Sequence, residues 1–221
     1  MKHYNPIFVV LLTCIKGMWC IGMRKHTLSI CLTLAVLLGS AGVSWGADFG
    51  KGVDAFQRGD YATALREWTL LAKQGNATAQ YNLGYMYDLG KGVPQDYKAA
   101  VKWYRLAADQ GYASAQYNLG NMHRKGTGVA QDYKAAFKWY KAAAEQGNAN
   151  AQYGLGFMYK YGKGVPQDLV YAHVWFNIAA SSGDTEALEA RDRTAQRMTP
   201  SQIEKAQALA RECVRKNYKR C

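Results

Sequence analysis

Apolar and small residues recur every three or four positions from Ala79 to Gly183, with polar residues between them. That spacing predicts amphipathic helices. The pattern returns three times without gaps. The copies read AQYNLGYMYDLGKGVPQDYKAAVKWYRLAADQG from Ala79, AQYNLGNMHRKGTGVAQDYKAAFKWYKAAAEQG from Ala115 and AQYGLGFMYKYGKGVPQDLVYAHVWFNIAASSG from Ala151. Tyr81, Tyr117 and Tyr153 stand 36 residues apart, as do Trp103, Trp139 and Trp175. Such self-similarity marks a repeat architecture.

Each unit predicts two helices, A and B. Asn76, Asn148 and Asp184 follow a Gly and can cap helix A by accepting a backbone N–H bond, whereas Tyr112 at the equivalent place cannot. Helix A runs to about Leu89, and Gly90-Lys91-Gly92-Val93-Pro94 stops it. Asp96 caps helix B, whose buried face is predicted as Tyr97, Ala100, Tyr104, Ala107 and Ala108. Gly84, Gly120 and Gly156 fall inside helix A, where Gly costs about 1 kcal/mol against Ala. Their shared register predicts that helix B packs there with almost no space for a side chain. A shorter pair, Phe49 to Gly75, precedes the copies. After them, Asp184 to Arg197 reads as one more helix A. Met198-Thr199-Pro200-Ser201-Gln202-Ile203 then opens a helix with a capping box and a hydrophobic staple. That helix is expected to cover the end of the array.

The elements A-x-A-Q-Y-N-L-G-x-M-Y, G-x-G-V-x-Q-D-Y and A-x-x-W-Y-x-x-A-A-x-Q-G resemble the Sel-1-like repeats, 36-residue relatives of the tetratricopeptide repeat. Gln80, Gln116 and Gln152 hold the place of the tetratricopeptide Trp, which favours the Sel-1-like branch. The resemblance implies an all-α fold, a right-handed α/α solenoid of 36-residue helix-turn-helix repeats with a C-terminal capping helix. The expected divisions are 47–76 as a partial repeat, 77–183 as three repeats, and 184–221 as capping helices and a basic tail.

Residues 1–46 read as a signal region. Arg24, Lys25 and His26 precede an apolar run from Leu28 to Leu38 and then small residues, the layout of a secretory signal. The run is short for a bilayer span, which takes about 20 residues. Ser44 and Gly46 place the cut before Ala47, and Met23 is the expected true start. The expectation is an exported bacterial protein, periplasmic or secreted, with no transmembrane span after cleavage.

Export changes the charge. The 221 residues carry 28 Lys and Arg against 16 Asp and Glu, a net +12. Residues 1–46 hold four of the basic residues and no acid, so the remainder is +8. A basic protein outside the cytoplasm suits anionic envelope surfaces, which its basic tail could touch, rather than nucleic acid.

Catalytic chemistry is hard to find. His123 and His173 lack neighbours at metal-ligand spacing. Ser114, Ser181, Ser182 and Ser201 begin no S-x-x-K, and none of the four stands in a G-x-S-x-G. The loops GKGVPQD and GTGVAQD lack the phosphate-loop spacing. No catalytic residue, metal or cofactor is therefore expected.

A repeat array offers a surface instead, with helix A on the concave side. Residues four apart on helix A share a face: Tyr81, Tyr85 and Leu89, then Tyr117, Asn121 and Lys125, then Tyr153, Phe157 and Tyr161, flanked by Arg124 and Lys160. Rings, amides and cations together suit an extended peptide of a partner protein. The expected partner-binding residues are Tyr81, Tyr85, Tyr117, Asn121, Arg124, Tyr153, Phe157 and Lys160. Packing between repeats is an alternative role for Tyr81, Tyr117 and Tyr153. Two functional classes remain open: a non-enzymatic interaction scaffold, and an enzyme acting on cell-wall material or β-lactams, as cysteine-rich relatives imply.

Cys213 and Cys221 are the cysteines left after cleavage, and an even count in an exported chain favours a disulfide. An unbroken helix would hold them about 12 Å apart, beyond the roughly 4.4–6.8 Å between Cα atoms that a bridge needs. The helix must then stop near Lys216 or Asn217. Free or intermolecular thiols are the alternative.

Overall fold

The computed structural model describes residues 47–219 and 221, and the signal region predicted for residues 1–46 lies outside them. The helices are α1 (Phe49–Gln57), α2 (Tyr61–Lys73), α3 (Ala77–Leu89), α4 (Tyr97–Asp109), α5 (Ala113–Lys125), α6 (Tyr133–Ala144), α7 (Ala149–Tyr161), α8 (Leu169–Ala180), α9 (Thr185–Ala195) and α10 (Pro200–Arg215). No strand occurs among the described residues. Each odd-numbered helix up to α7 pairs with the helix after it, and each pair stacks on the next, an α/α solenoid.

The caps form as the residue types require. Asn76 Oδ1 accepts from Ala79 N at 2.9 Å, Asp96 Oδ1 from Ala99 N at 3.0 Å, and Asn148 Oδ1 from Ala151 N at 2.9 Å. Tyr112 makes no side-chain cap; its ring instead lies 5.1 Å from that of Tyr81. Thr199 and Gln202 close the capping box.

Within each pair, an aromatic ring of helix B lies flat on a glycine of helix A. A Cβ at Gly84 would come 2.5 Å from the Tyr104 ring; at Gly120, 2.7 Å from Tyr140; at Gly156, 2.5 Å from Phe176. The leading pair does the same with Gly52 and Trp68. Leu83, Met86, Leu119, Leu155 and Met158 fill the core around these contacts. Each such buried side chain stabilises by about 1.5–3 kcal/mol.

Glutamines stitch one repeat to the next. Gln80 Nε2 donates to Ala72 O at 3.0 Å, and Gln110 Nε2 donates to Gln80 Oε1 at 2.7 Å. Gln116 and Gln146 repeat the pattern at 3.1 and 2.8 Å. The carbonyls of Ala72 and Ala108 already accept from Gly75 N and Gly111 N, and the Gln80 and Gln116 amides give each a second donor.

Tyr97 departs from the expected buried face and is 39% exposed. It occupies the first helical position, where its backbone meets the next repeat. A Cβ at Gly128 would stand 2.3 Å from the Tyr97 carbonyl oxygen.

The final helix also differs from expectation. α10 packs on α8, with Ala206, Ala210 and Cys213 in one core cluster with Val174, Trp175 and Ile178. It covers the helix-B side of the third repeat, while α9, with Glu186, Glu189 and Arg193 exposed, ends the stack. The cause is visible in the repeat register. Lys98, Lys102 and Arg105, then Lys134, Lys138 and Lys141, are exposed on α4 and α6. The corresponding residues on α8 are Val170, Val174 and Asn177. That face needs a cover, and α10 supplies it. Beyond α10, Asn217 and Tyr218 take positive φ (50° and 64°), the chain turns back, and Cys213 and Cys221 are bonded with Cα atoms 5.3 Å apart.

Candidate functional site

Loops of one design fix the ends of helices A. Gln95 Nε2 donates to Asp88 O at 2.7 Å, Gln131 Nε2 to Arg124 O at 3.0 Å, and Gln167 Nε2 to Lys160 O at 2.7 Å. The glutamine of each G-x-G-V-x-Q-D loop thus holds the last turn of its helix A, and with it residues 88, 124 and 160.

Helices α5 and α7 enclose a cleft of about 210 Å³ lined by Tyr117, Asn121, Arg124, Asn150, Tyr153, Gly154 and Phe157. It gathers five of the eight residues expected to bind a partner. Tyr81 and Tyr85 line a second cleft of about 270 Å³ with Val53, Phe56 and Asn82. Lys160 lies outside both clefts. Burial, helped by Arg193 and Arg197 of the next turn of chain, pulls its pKa below the ordinary lysine value.

Polar groups in the α5–α7 cleft are held from below. The Tyr140 hydroxyl donates to Asn121 Oδ1 at 2.7 Å, and Arg124 Nε donates to the same hydroxyl at 3.1 Å. Burial pushes the Tyr140 pKa up to about 12, so the hydroxyl stays protonated and keeps its donor role. In the first repeat Tyr104 Oη donates instead to Asp88 Oδ2 at 3.3 Å. Burial raises the Asp88 pKa. In the third, Phe176 has no hydroxyl to offer. The same structural position thus presents Asp88, Arg124 and Lys160 in successive repeats.

The three signature tyrosines pack as well as line. Tyr81 lies 5.8 Å from Tyr104, Tyr117 5.9 Å from Tyr140, and Tyr153 5.4 Å from Phe176, centroid to centroid. Tyr85 is the more open ring at 38% exposure. The Phe157 ring lies 4.6 Å from that of Tyr161, tilted by 49°.

Sequence reasoning missed Asn150 and Phe56. Asn150 sits one turn before Tyr153, and the i−3 spacing from Tyr153 was the available signal. Phe56 belongs to the divergent leading pair, where no repeat register marked it.

The histidines lie apart from both clefts. His123 and His173 are buried, each with an unpaired Nδ1, and His123 Nε2 sits 3.3 Å from Arg105 Nη2. Burial, with a nearby arginine in each case, lowers both pKa values. No group of three metal-ligating side chains occurs among the described residues. A hollow of about 670 Å³ between α8 and α10 is lined by Ile178, Ala210, Val214 and two arginines and holds none of the expected residues.

The stacked pairs, the glycine-ring contacts and the capped loops define an α/α repeat protein. The Sel1 repeat model matches residues 77–112, 113–148 and 149–184, and the chain belongs to the Sel1 repeat family. Repeats of this family generally serve as protein–protein interaction scaffolds and are typically non-enzymatic. The chain is similar to a protective antigen of uropathogenic Escherichia coli that displays an SLR fold. Identity is 31%, the TM-score is 0.56, and the match covers 77% of this chain and 45% of that one. It is also similar to a Sel1 repeat protein from Oxalobacter formigenes, at 38% identity and a TM-score of 0.58, covering 62% of this chain and 54% of that one. The chain thus spans about half the length of these solved structures. No curated protein matches it. No helix among the described residues is long and apolar enough to cross a membrane.

Proposed function

We propose that this protein is a non-enzymatic scaffold that binds an extended segment of a partner protein along its helix-A face. The observation that carries the reading is the α5–α7 cleft, where three rings, two amides and a guanidinium line one hollow. Aromatic walls offer apolar area at low entropic cost, and the polar groups are aimed before a ligand arrives. Export into the periplasm or beyond is part of the proposal, resting on the basic, apolar and small residues in order from Met23 to Gly46. In that setting, the basic tail suits contact with an anionic envelope surface.

Asn121 accepts from a buried hydroxyl, so truncating it would disturb packing as well as binding. Tyr85, Asn150 and Phe157 are better targets, because no side-chain hydrogen bond of the described residues depends on them. A pull-down from an envelope extract should capture a partner with the native chain. It should fail with a Tyr85→Ala, Asn150→Ala, Phe157→Ala variant of unchanged helicity. Truncated hot-spot aromatics cost about 2 kcal/mol or more each. Undiminished capture by the triple variant would move the working surface to the outer face or the loops.

A further inference from the structure

Arg124 is half-buried at the α5–α7 cleft, and among the described residues no carboxylate lies within ion-pair distance of it. A guanidinium in a cleft without a counter-charge has donors free for an anionic ligand. Its orientation is fixed. Nε donates to Tyr140 Oη, which is itself anchored on Asn121 Oδ1. The remaining guanidinium donors reach no protein acceptor among the described residues. The cleft around it is walled by Tyr117, Tyr153 and Phe157, and the Asn150 amide also lines it.

We propose that this cleft is a carboxylate site, in which Arg124 binds an acidic group of the partner segment while Asn150 holds its backbone. The assignment rests on the helix-A reading above. A planar guanidinium matches a carboxylate with paired hydrogen bonds, and apolar walls that exclude water strengthen them. Comparison along the array supports the choice of ligand. The equivalent position is Asp88 in the first repeat, so the anion site belongs to the later repeats. Beyond the cleft, Lys160 lies within the field of Arg193 and Arg197, although Arg193 is paired with Glu189 at 3.1 Å and Glu186 stands near Tyr153.

Fluorescence anisotropy on the full chain tests this with three labelled extended peptides. One carries a central Glu and an amidated C-terminus. The second has Gln in place of that Glu. The third is the Gln peptide with a free C-terminal carboxylate. The native protein should bind at least one carboxylate-bearing peptide tenfold or more tightly than the amidated Gln peptide. Which one gains shows whether a side chain or a chain terminus supplies the group. Arg124→Gln should abolish the preference, whereas Lys138→Gln on the outer face of α6 should leave it intact. Tyr140→Phe keeps the ring on Gly120 and removes only the anchoring hydroxyl; it should weaken the preference about threefold at unchanged helicity. A preference that survives in Arg124→Gln, or equal affinity for all three peptides, overturns the carboxylate site and leaves the helix-A groove standing. Binding of none of the peptides overturns both.

Discussion

Gly120 shows how a single residue sets the distance between two helices. Replacing it with Ala would recover about 1 kcal/mol of helix propensity. The new Cβ would stand 2.7 Å from the ring of Tyr140, which is 1% exposed and has nowhere to move. Overpacking of a filled core costs about 1–3 kcal/mol. The steric cost wins, and Gly120→Ala is expected to lower stability by up to about 2 kcal/mol in urea denaturation. An unchanged or raised midpoint would show that the ring can give way. These glycines were legible in the sequence because they recur in one register of every copy. The Tyr140–Asn121–Arg124 network was not. Tyr140 lies on the partner helix, 19 residues from Asn121. The equivalent groups in the other copies are Tyr104 with Asp88 and Phe176 with Lys160, so no repeated signature announced the network. The eight expected residues were chosen as one face of helix A, and the sequence was silent about which of them share a cleft.

Elements were easier to read than their docking. Caps, loop glycines and the capping box placed the helices well, because each depends on residues close in sequence. The seat of α10 depends on three substitutions in another element, Val170, Val174 and Asn177 for basic residues, and their meaning appears only beside α4 and α6. The tail that follows α10 is turned back by Asn217 and Tyr218. Tyr218 then lies over Gly147, whose added Cβ would meet its ring at 3.3 Å. Closing the short loop between Cys213 and Cys221 is worth about 2–3 kcal/mol in the chain-entropy model. The intact mass of protein recovered outside the cytoplasm checks both this bridge and the proposed cut. A chain starting at Ala47 that gains the mass of two hydrogens on reduction is expected. A mass unmoved by reduction, or a dimer that reduction separates, would replace the staple with free or shared thiols. A cytoplasmic chain starting at Met1 would remove export.

Across the whole array, each helix pair contacts chiefly its neighbours, so stability adds along the stack and the surface repeats with it. Two faces result. The outer face of helix B in the first two repeats is a row of exposed lysines and an arginine, of one chemical kind throughout. The helix-A face keeps its frame and varies its contents, with Tyr85, Asn121 and Phe157 at one position and Asp88, Arg124 and Lys160 at another. A surface that differs from repeat to repeat on a constant scaffold can read a particular segment, and a uniform one cannot. Photoreactive residues placed one at a time at Tyr85, Asn150 and Phe157, and at Lys98, Lys102 and Lys138, compare the two faces directly in an envelope extract. The account predicts a common cross-linked partner from the three helix-A positions and none from the outer three. Cross-links that form from the lysine row while the helix-A positions stay silent would contradict it.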